Sequence, residues 1–194
     1  MPKLEKIITT YTKLQYLNFV PEIRLFIRED KNLYHLLQQE YGNNVAFPFW
    51  AHTWAGGQAL ARYILDNPSI VKNKHIVDYC SGSSIVGIAA NLSGAKKVTC
   101  VDVDELSTTA ASLNARANHV QLEFSSNIPD HDLLLSGDPE VKQTIFDTIK
   151  SYNSIIGCPT RDQSMLHDFN ILYNYNIITN EFPNGTVVNI LSKI

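Results

Sequence analysis

Long hydrophobic runs, paired cysteines and strings of basic residues are all missing from this 194-residue chain. A membrane-crossing helix needs about 18 or more consecutive apolar residues, and no such stretch occurs. The opening Met1-Pro2-Lys3-Leu4-Glu5-Lys6 leads into mixed polar sequence rather than an apolar secretory segment, so a soluble, cytoplasmic protein is expected. Only 3 cysteines are present, Cys80, Cys100 and Cys158, and none forms a CxxC pair. An odd, scattered set argues against a disulfide framework and for a reducing compartment. With 16 Lys+Arg against 19 Asp+Glu the net charge is -3, and no Lys/Arg-rich run could neutralise a phosphate backbone; nucleic acid is a poor partner. His35, His52, His75, His119, His131 and His167 form no HxH or HExxH set, which leaves them as surface or core histidines and offers no metal site. No G-x-S-x-G elbow follows an expected strand, so a Ser-His-Asp hydrolase is discarded.

What is present suits one globular domain. The hydrophobic content is 44% and the charged content 18%, enough at this length to bury about 70% of the unfolded surface. Residues 1–70 read as an N-terminal extension with a Trp-rich loop, and 71–194 as a core. In the extension, Leu4, Ile7, Ile8, Tyr11 and Leu14 recur at helical spacing over residues 1–20. Ile23, Leu25 and Ile27 alternate as in a short strand, and Tyr34–Tyr41 reads as a helix stopped by Gly42-Asn43-Asn44. Phe47 to Gly57 concentrates both tryptophans and several turn-formers into an expected loop, before a helix over Gln58–Leu65.

From His75 the rhythm becomes regular. Strands are expected at His75–Asp78, Lys97–Asp102, His131–Ser136 and Ser154–Gly157, with helices over Ile85–Leu92, Leu106–Asn118 and residues 140–150. Two β-rich runs, Phe169–Ile178 and Thr186–Leu191, close the chain. This alternation predicts a doubly wound α/β fold with a mainly parallel sheet and an antiparallel hairpin at one edge.

In such sheets ligands bind outside the carboxyl ends of the strands, which directs attention to the turn Asp78-Tyr79-Cys80-Ser81-Gly82-Ser83-Ser84. Its small residues let a ligand approach the backbone. Gly82 is the only glycine there, so the turn matches a G-x-G-x-x-G fingerprint weakly; a cofactor without phosphate suits it better than NAD. The next strand ends in Val101-Asp102-Val103-Asp104, where a carboxylate can accept hydrogen bonds from a ribose diol; Asp102 is the candidate. Helix capping by Asp102 or Asp104 accounts for the same residues equally well. Likewise a small-residue turn serves tight strand-to-helix packing, and the plainer reading of Trp50 and Trp54, the one to favour for an arbitrary tryptophan, is a core or lid aromatic pair.

Pro48-Phe49-Trp50-Ala51, Trp54-Ala55-Gly56-Gly57-Gln58-Ala59-Leu60-Ala61-Arg62-Tyr63-Ile64-Leu65-Asp66-Asn67-Pro68, the Asp78 turn and Val101-Asp102-Val103-Asp104 together resemble the lysine methyltransferases of the electron-transfer flavoprotein β subunit. These are more distantly related to ribosomal protein L11 methyltransferases. The resemblance runs from about Val20 onward. It implies a Rossmann-like methyltransferase fold, S-adenosyl-L-methionine as cofactor, and a protein substrate such as the electron-transfer flavoprotein β subunit or a ribosomal protein. It further implies that Asp78 and Gly82 line the methionine end of the cofactor, that Asp102 holds the ribose, that Val103 lies against the adenine and that Trp54 closes over it.

A lysine amine, with an unperturbed pKa near 10.4, must lose a proton before it accepts a methyl group. Asp138, in Ser136-Gly137-Asp138-Pro139 at an expected strand end, is placed to orient the amine or accept that proton, and Pro139 biases it toward extended backbone. A plain turn role fits it too. The chain departs from the family at Gly137-Asp138-Pro139-Glu140-Val141, where the family has Gly-Asp-x-Phe-Tyr, and at Gly157-Cys158-Pro159-Thr160-Arg161, where it has Gly-Asp-Pro-Gly-Arg. Cys80 and Ser84 replace the first and last glycines of the cofactor turn, adding β-carbons where positive φ is expected. A methyltransferase-shaped binding protein without turnover is the alternative these departures raise.

Overall fold

The computed structural model describes residues 3–30, 32–139, 143–159, 168–179 and 181–193. Its main sheet has seven strands in the order β5-β4-β3-β6-β7-β9-β8. The strands are β3 (His75–Tyr79), β4 (Lys97–Val101), β5 (Glu123–Ser125), β6 (Leu133–Gly137), β7 (Ser154–Pro159), β8 (Asn170–Ile177) and β9 (Thr186–Ser192). β3 to β7 are parallel, whereas β9 runs antiparallel to β7 and β8 antiparallel to β9. The closing pair of β-runs is therefore the expected edge hairpin.

Alternation along each strand divides the core. Ile76, Val98, Leu133, Leu135 and Ile155 face the layer that holds α3 (Ala55–Asp66) and α4 (Ile85–Leu92). Val77, Val101, Leu134 and Ile156 face the opposite layer, which includes Phe146 and Ile149 of α6 (Gln143–Lys150). Strands buried on both faces read as continuous apolar runs, which is why these segments are visible in the sequence. The three-residue β5 at the sheet edge carries no such run and went unforeseen.

Three more expectations need correction. The first helix does not run through Leu14: α1 covers Lys3–Tyr11, and Thr12–Tyr16 is a strand, β1, paired antiparallel with β2 (Arg24–Arg28) in a separate two-stranded sheet. Helical spacing at Leu14 was coincidental, since β1 buries only Thr12. Together with α2 (Leu33–Tyr41), α1 packs against α5 (Glu105–Ala117) around a small apolar cluster that includes Ile8, Leu37, Trp50 and Ala110.

The Phe47–Gly57 segment is not loop throughout. Phe49–Ala51 forms a 3₁₀ turn and α3 begins at Ala55, with Gly56 and Gly57 inside the helix. These glycines are there for contact, since a β-carbon on Gly56 would lie 2.3 Å from the Gly157 carbonyl oxygen and one on Gly137 2.5 Å from the Gly57 Cα. The start of α3 thus rests directly on the ends of β6 and β7.

The third correction concerns Asp138. Its φ is +61°, left-handed rather than extended. The Asp138 N–H donates to the Gly157 carbonyl (2.8 Å) and its Oδ2 accepts from the Gly56 N–H (3.3 Å), and these tertiary bonds outweigh the bias from Pro139.

Candidate active site

The sheet order reverses at β3, whose neighbours β4 and β6 lie on either side of it. Outside the carboxyl ends of these strands opens a cavity of about 1050 Å³. That is just above the usual range for small-molecule sites, about 300–1000 Å³. Trp54, Asp78, Cys80, Gly82, Asp102, Val103 and Asp138 all line it. Ser84 does not; it lies beneath the turn at zero exposure.

The turn after β3 is built by backbone bonds. The Ser81 N–H donates to the Val101 carbonyl (3.2 Å), the Ser84 N–H to the Ser81 carbonyl (2.7 Å), and Asn114 Nδ2 to the Ser83 carbonyl (2.9 Å). Cys80, Gly82 and Ser84 have φ of +55°, +49° and +58°. The left-handed backbone that would favour glycine at all three positions is real, and two of them carry side chains. A β-carbon at Gly82 would meet nothing closer than the Trp50 Cα at 3.9 Å, so the glycine leaves open space over the turn.

Asp78 is 1% exposed and its Oδ2 accepts from the Gly87 N–H (2.8 Å) inside the first turn of α4. Burial pushes its carboxyl up to about 8; the Gly87 bond pulls the other way, and the neighbouring Asp102 adds to the rise. At neutral pH this is a mostly protonated carboxyl under the turn.

The two aspartates after β4 have separate jobs. Asp104 caps α5, accepting from the Leu106 N–H (2.9 Å). Asp102 accepts from the Gly82 N–H through Oδ2 (2.9 Å) and from the Asp104 N–H through Oδ1 (3.0 Å). It braces the two loops, and each oxygen keeps a further lone pair for a ligand hydroxyl. Val103, beside it, is 91% exposed on the rim.

Of the tryptophans, Trp50 is a core residue at zero exposure, while Trp54 lines the cavity and donates Nε1–H to the Phe49 carbonyl (2.9 Å). Thr160 and Arg161 of the second departure lie outside the described residues, as do Glu140 and Val141 of the first.

One group was missed. His52, read from the sequence as a surface or core histidine, lines the cavity with its ring stacked 5.1 Å from the Trp54 ring at 21°. Its Nδ1 lies 3.2 Å from Glu181 Oε1, and Thr53 Oγ1 donates to Glu181 Oε2 (3.3 Å). No spacing rule finds a pair 129 residues apart. Among the described residues no group of three His, Cys, Asp or Glu side chains could hold a metal ion, and no helix is long and apolar enough to cross a membrane.

Among the described residues no lysine or arginine lines the cavity. A nucleoside joined to an amino-acid chain would meet backbone groups, an apolar rim and the Asp102 carboxylate there. The fold is the doubly wound, Rossmann-like one, with a cavity at its switch point. Residues 58–149 match the sequence profile of the ribosomal protein L11 methyltransferase (PrmA) family. The chain is 32% identical over 151 residues to the electron transfer flavoprotein beta subunit lysine methyltransferase of Mus musculus, covering 67% of this chain and 59% of that protein. With its Homo sapiens counterpart the figures are 30% over 152 residues, 68% and 58%. The chain thus spans less than two thirds of the relatives it matches. In structure, the ribosomal protein L11 methylase from Lactobacillus delbrueckii subsp. bulgaricus aligns with a TM-score of 0.51 at 21% identity, over 69% of this chain and 75% of that one. By sequence and fold, the chain is related to the S-adenosylmethionine-dependent methyltransferases that include the L11 enzymes.

Proposed function

We propose that this protein transfers methyl groups from S-adenosyl-L-methionine to a lysine side chain of another protein. The observation that carries the reading is the cavity at the carboxyl ends of β3, β4 and β6, with the Asp102 carboxylate bracing the two loops at its mouth. The lysine acceptor is inferred from the named activity of the mouse and human relatives, and the electron-transfer flavoprotein β subunit and ribosomal proteins are the candidates to try first. The cytoplasm is the proposed compartment.

In this arrangement Asp102 accepts hydrogen bonds from the ribose diol. Val103 covers one face of the adenine, and the Cys80–Gly82 backbone with Asp78 beneath it borders the methionine end. Ser84 shapes the turn from below, Trp54 closes over the site and Asp138 orients the incoming amine. The bound cofactor supplies an electrophilic methyl group on a sulfonium. The protein's share is largely proximity and alignment for an in-line displacement. The 194 residues would form one domain, with residues 1–70 as an extension on a core of 71–194.

A cofactor-binding protein without turnover is the second reading, favoured by the side chains at Cys80 and Ser84 where the backbone is left-handed. Calorimetric titration with S-adenosylmethionine, S-adenosylhomocysteine and NAD tests both. Micromolar binding of the first two with NAD silent is expected, and Asp102→Ala should weaken it at least ~10-fold, as loss of charge-assisted bonds worth about 1.5–3 kcal/mol requires. A lysate incubated with labelled methyl donor then separates the readings: labelled lysine supports the enzyme, and binding without label supports the silent scaffold.

A further inference from the structure

Aromatic rings bound one side of the cavity. Phe47, Phe49 and Trp54 line it together with His52. Their centroids are 4.8 Å apart for Phe47–Phe49, 5.8 Å for Phe49–Trp54, 5.1 Å for His52–Trp54 and 5.1 Å for Phe47–His52. Trp54 stacks on the imidazole and Phe47 lies tilted against it, and an aromatic face set against a cation contributes about 0.5–2 kcal/mol.

The imidazole is held from behind. Glu181, in the connection between β8 and β9, reaches His52 Nδ1, and Thr53 Oγ1 donates to the other Glu181 oxygen. The side chains of His52 and Glu181 are 8% and 13% exposed, so the pair is largely screened from water. The His52 interaction and hydrogen bonds hold the Glu181 carboxyl below the usual carboxylate range despite its burial. An ionised Glu181 selects the tautomer with the proton on Nδ1, leaving Nε2 as the ring's acceptor. Arg28 Nε approaches the same Nδ1 at 3.4 Å. One nitrogen cannot donate to Glu181 and accept from Arg28 at once, and the nearer carboxylate is the stronger partner.

Resting on the lysine methyltransferase reading, we propose that His52, oriented by Glu181 inside the aromatic cluster, is the catalytic residue that takes the proton from the incoming lysine ammonium. Asp138, whose Oδ2 accepts from the Gly56 N–H at the start of α3, keeps the orienting role, and the proton falls to the imidazole. The balance is simple. The ammonium gives one proton to His52 Nε2, and the freed nitrogen lone pair forms the new N–C bond. The carbon–sulfur bond breaks with its electron pair left on sulfur, converting the sulfonium to a neutral thioether. The methylated nitrogen emerges cationic, while the imidazolium, its charge countered by Glu181, returns its proton to solvent.

Nitrogen NMR on the full chain saturated with S-adenosylhomocysteine, His52 signals being assigned by comparison with His52→Gln, reads the arrangement directly. The expected spectrum has the proton on Nδ1 and an Nε2 resonance that shifts saturably on addition of Nα-acetyl-lysine methylamide. A proton on Nε2, or an unmoved resonance, would overturn the proposal. In methyl transfer to a labelled lysate substrate, His52→Gln should lower kcat by about 10²-fold or more while cofactor affinity stays within twofold. Glu181→Gln, which keeps an acceptor but loses the charge, should lower kcat about 10-fold with KM unchanged. Equal kcat in His52→Gln and wild type refutes His52 alone, whereas failure of the wild type to bind S-adenosylhomocysteine refutes the methyltransferase reading itself.

Discussion

Ser84 carries two costs in one residue. Its φ of +58° strains any side chain, and its buried hydroxyl has no hydrogen-bond partner among the described residues, with only the weakly accepting Cys100 sulfur beside it. Ser84→Gly removes both and adds about 0.5–1 kcal/mol of chain entropy to the unfolded state. A net gain of about 1 kcal/mol is expected, seen as a Tm rise of ~2–4 °C. Asp78 sets the opposite kind of cost. Unfolded, its carboxyl ionises near 3.8; folded, it holds its proton to about 8. The native state therefore binds the extra proton between those values, and stability falls as pH rises through that window, by up to about 1.4 kcal/mol per pH unit. Asp78→Asn, which still accepts the Gly87 N–H, should flatten the slope of denaturation midpoint against pH between about 4 and 8. An unchanged slope would assign it to other groups.

At the scale of elements, the start of α3 is fixed by glycine against glycine. Gly56→Ala forces a β-carbon onto the Gly157 carbonyl oxygen 2.3 Å away, and overpacking of this kind costs about 1–3 kcal/mol. Urea denaturation should show the loss with an unchanged m-value. The same contact explains what the sequence concealed. Gly56-Gly57 reads as a loop because glycine disfavours helix, but here tertiary approach overrides propensity. The strands β3, β4, β6 and β7 were legible because both their faces are buried, as was α4, whose bounds Ile85–Leu92 match expectation. β1 was hidden by its exposure and β5 by its length. Within the site, Asp102 stood out because it sits at a strand tip, and it does line the cavity; that Asp104 and not Asp102 caps α5 needed the fold. His52 and Glu181 had to wait for the fold, since nothing local in the sequence joins the Trp-rich segment to the last hairpin.

Taken whole, the molecule places its cavity where three parallel strands, the N-terminal extension and α3 meet. A ligand there touches elements from Leu25 to Tyr152, so binding should raise the stability of the entire chain rather than of one lobe. At 100 times its dissociation constant, S-adenosylhomocysteine should add about 2.7 kcal/mol. Calorimetry should show one transition moving upward by several degrees, with NAD leaving it in place. Two transitions, only one of them responding, would separate the extension from the core.

The glycine seam beneath α3 also bears on time. Because the helix start has no slack against β6 and β7, it cannot slide to admit a ligand, and Trp50 just before it is buried in the core, so what is left to rearrange is exposed rim side chains such as Phe49 and Val103. The lifetime of a bound molecule should then follow the rotamer changes of those rim side chains, and not backbone motion of the sheet or of α3.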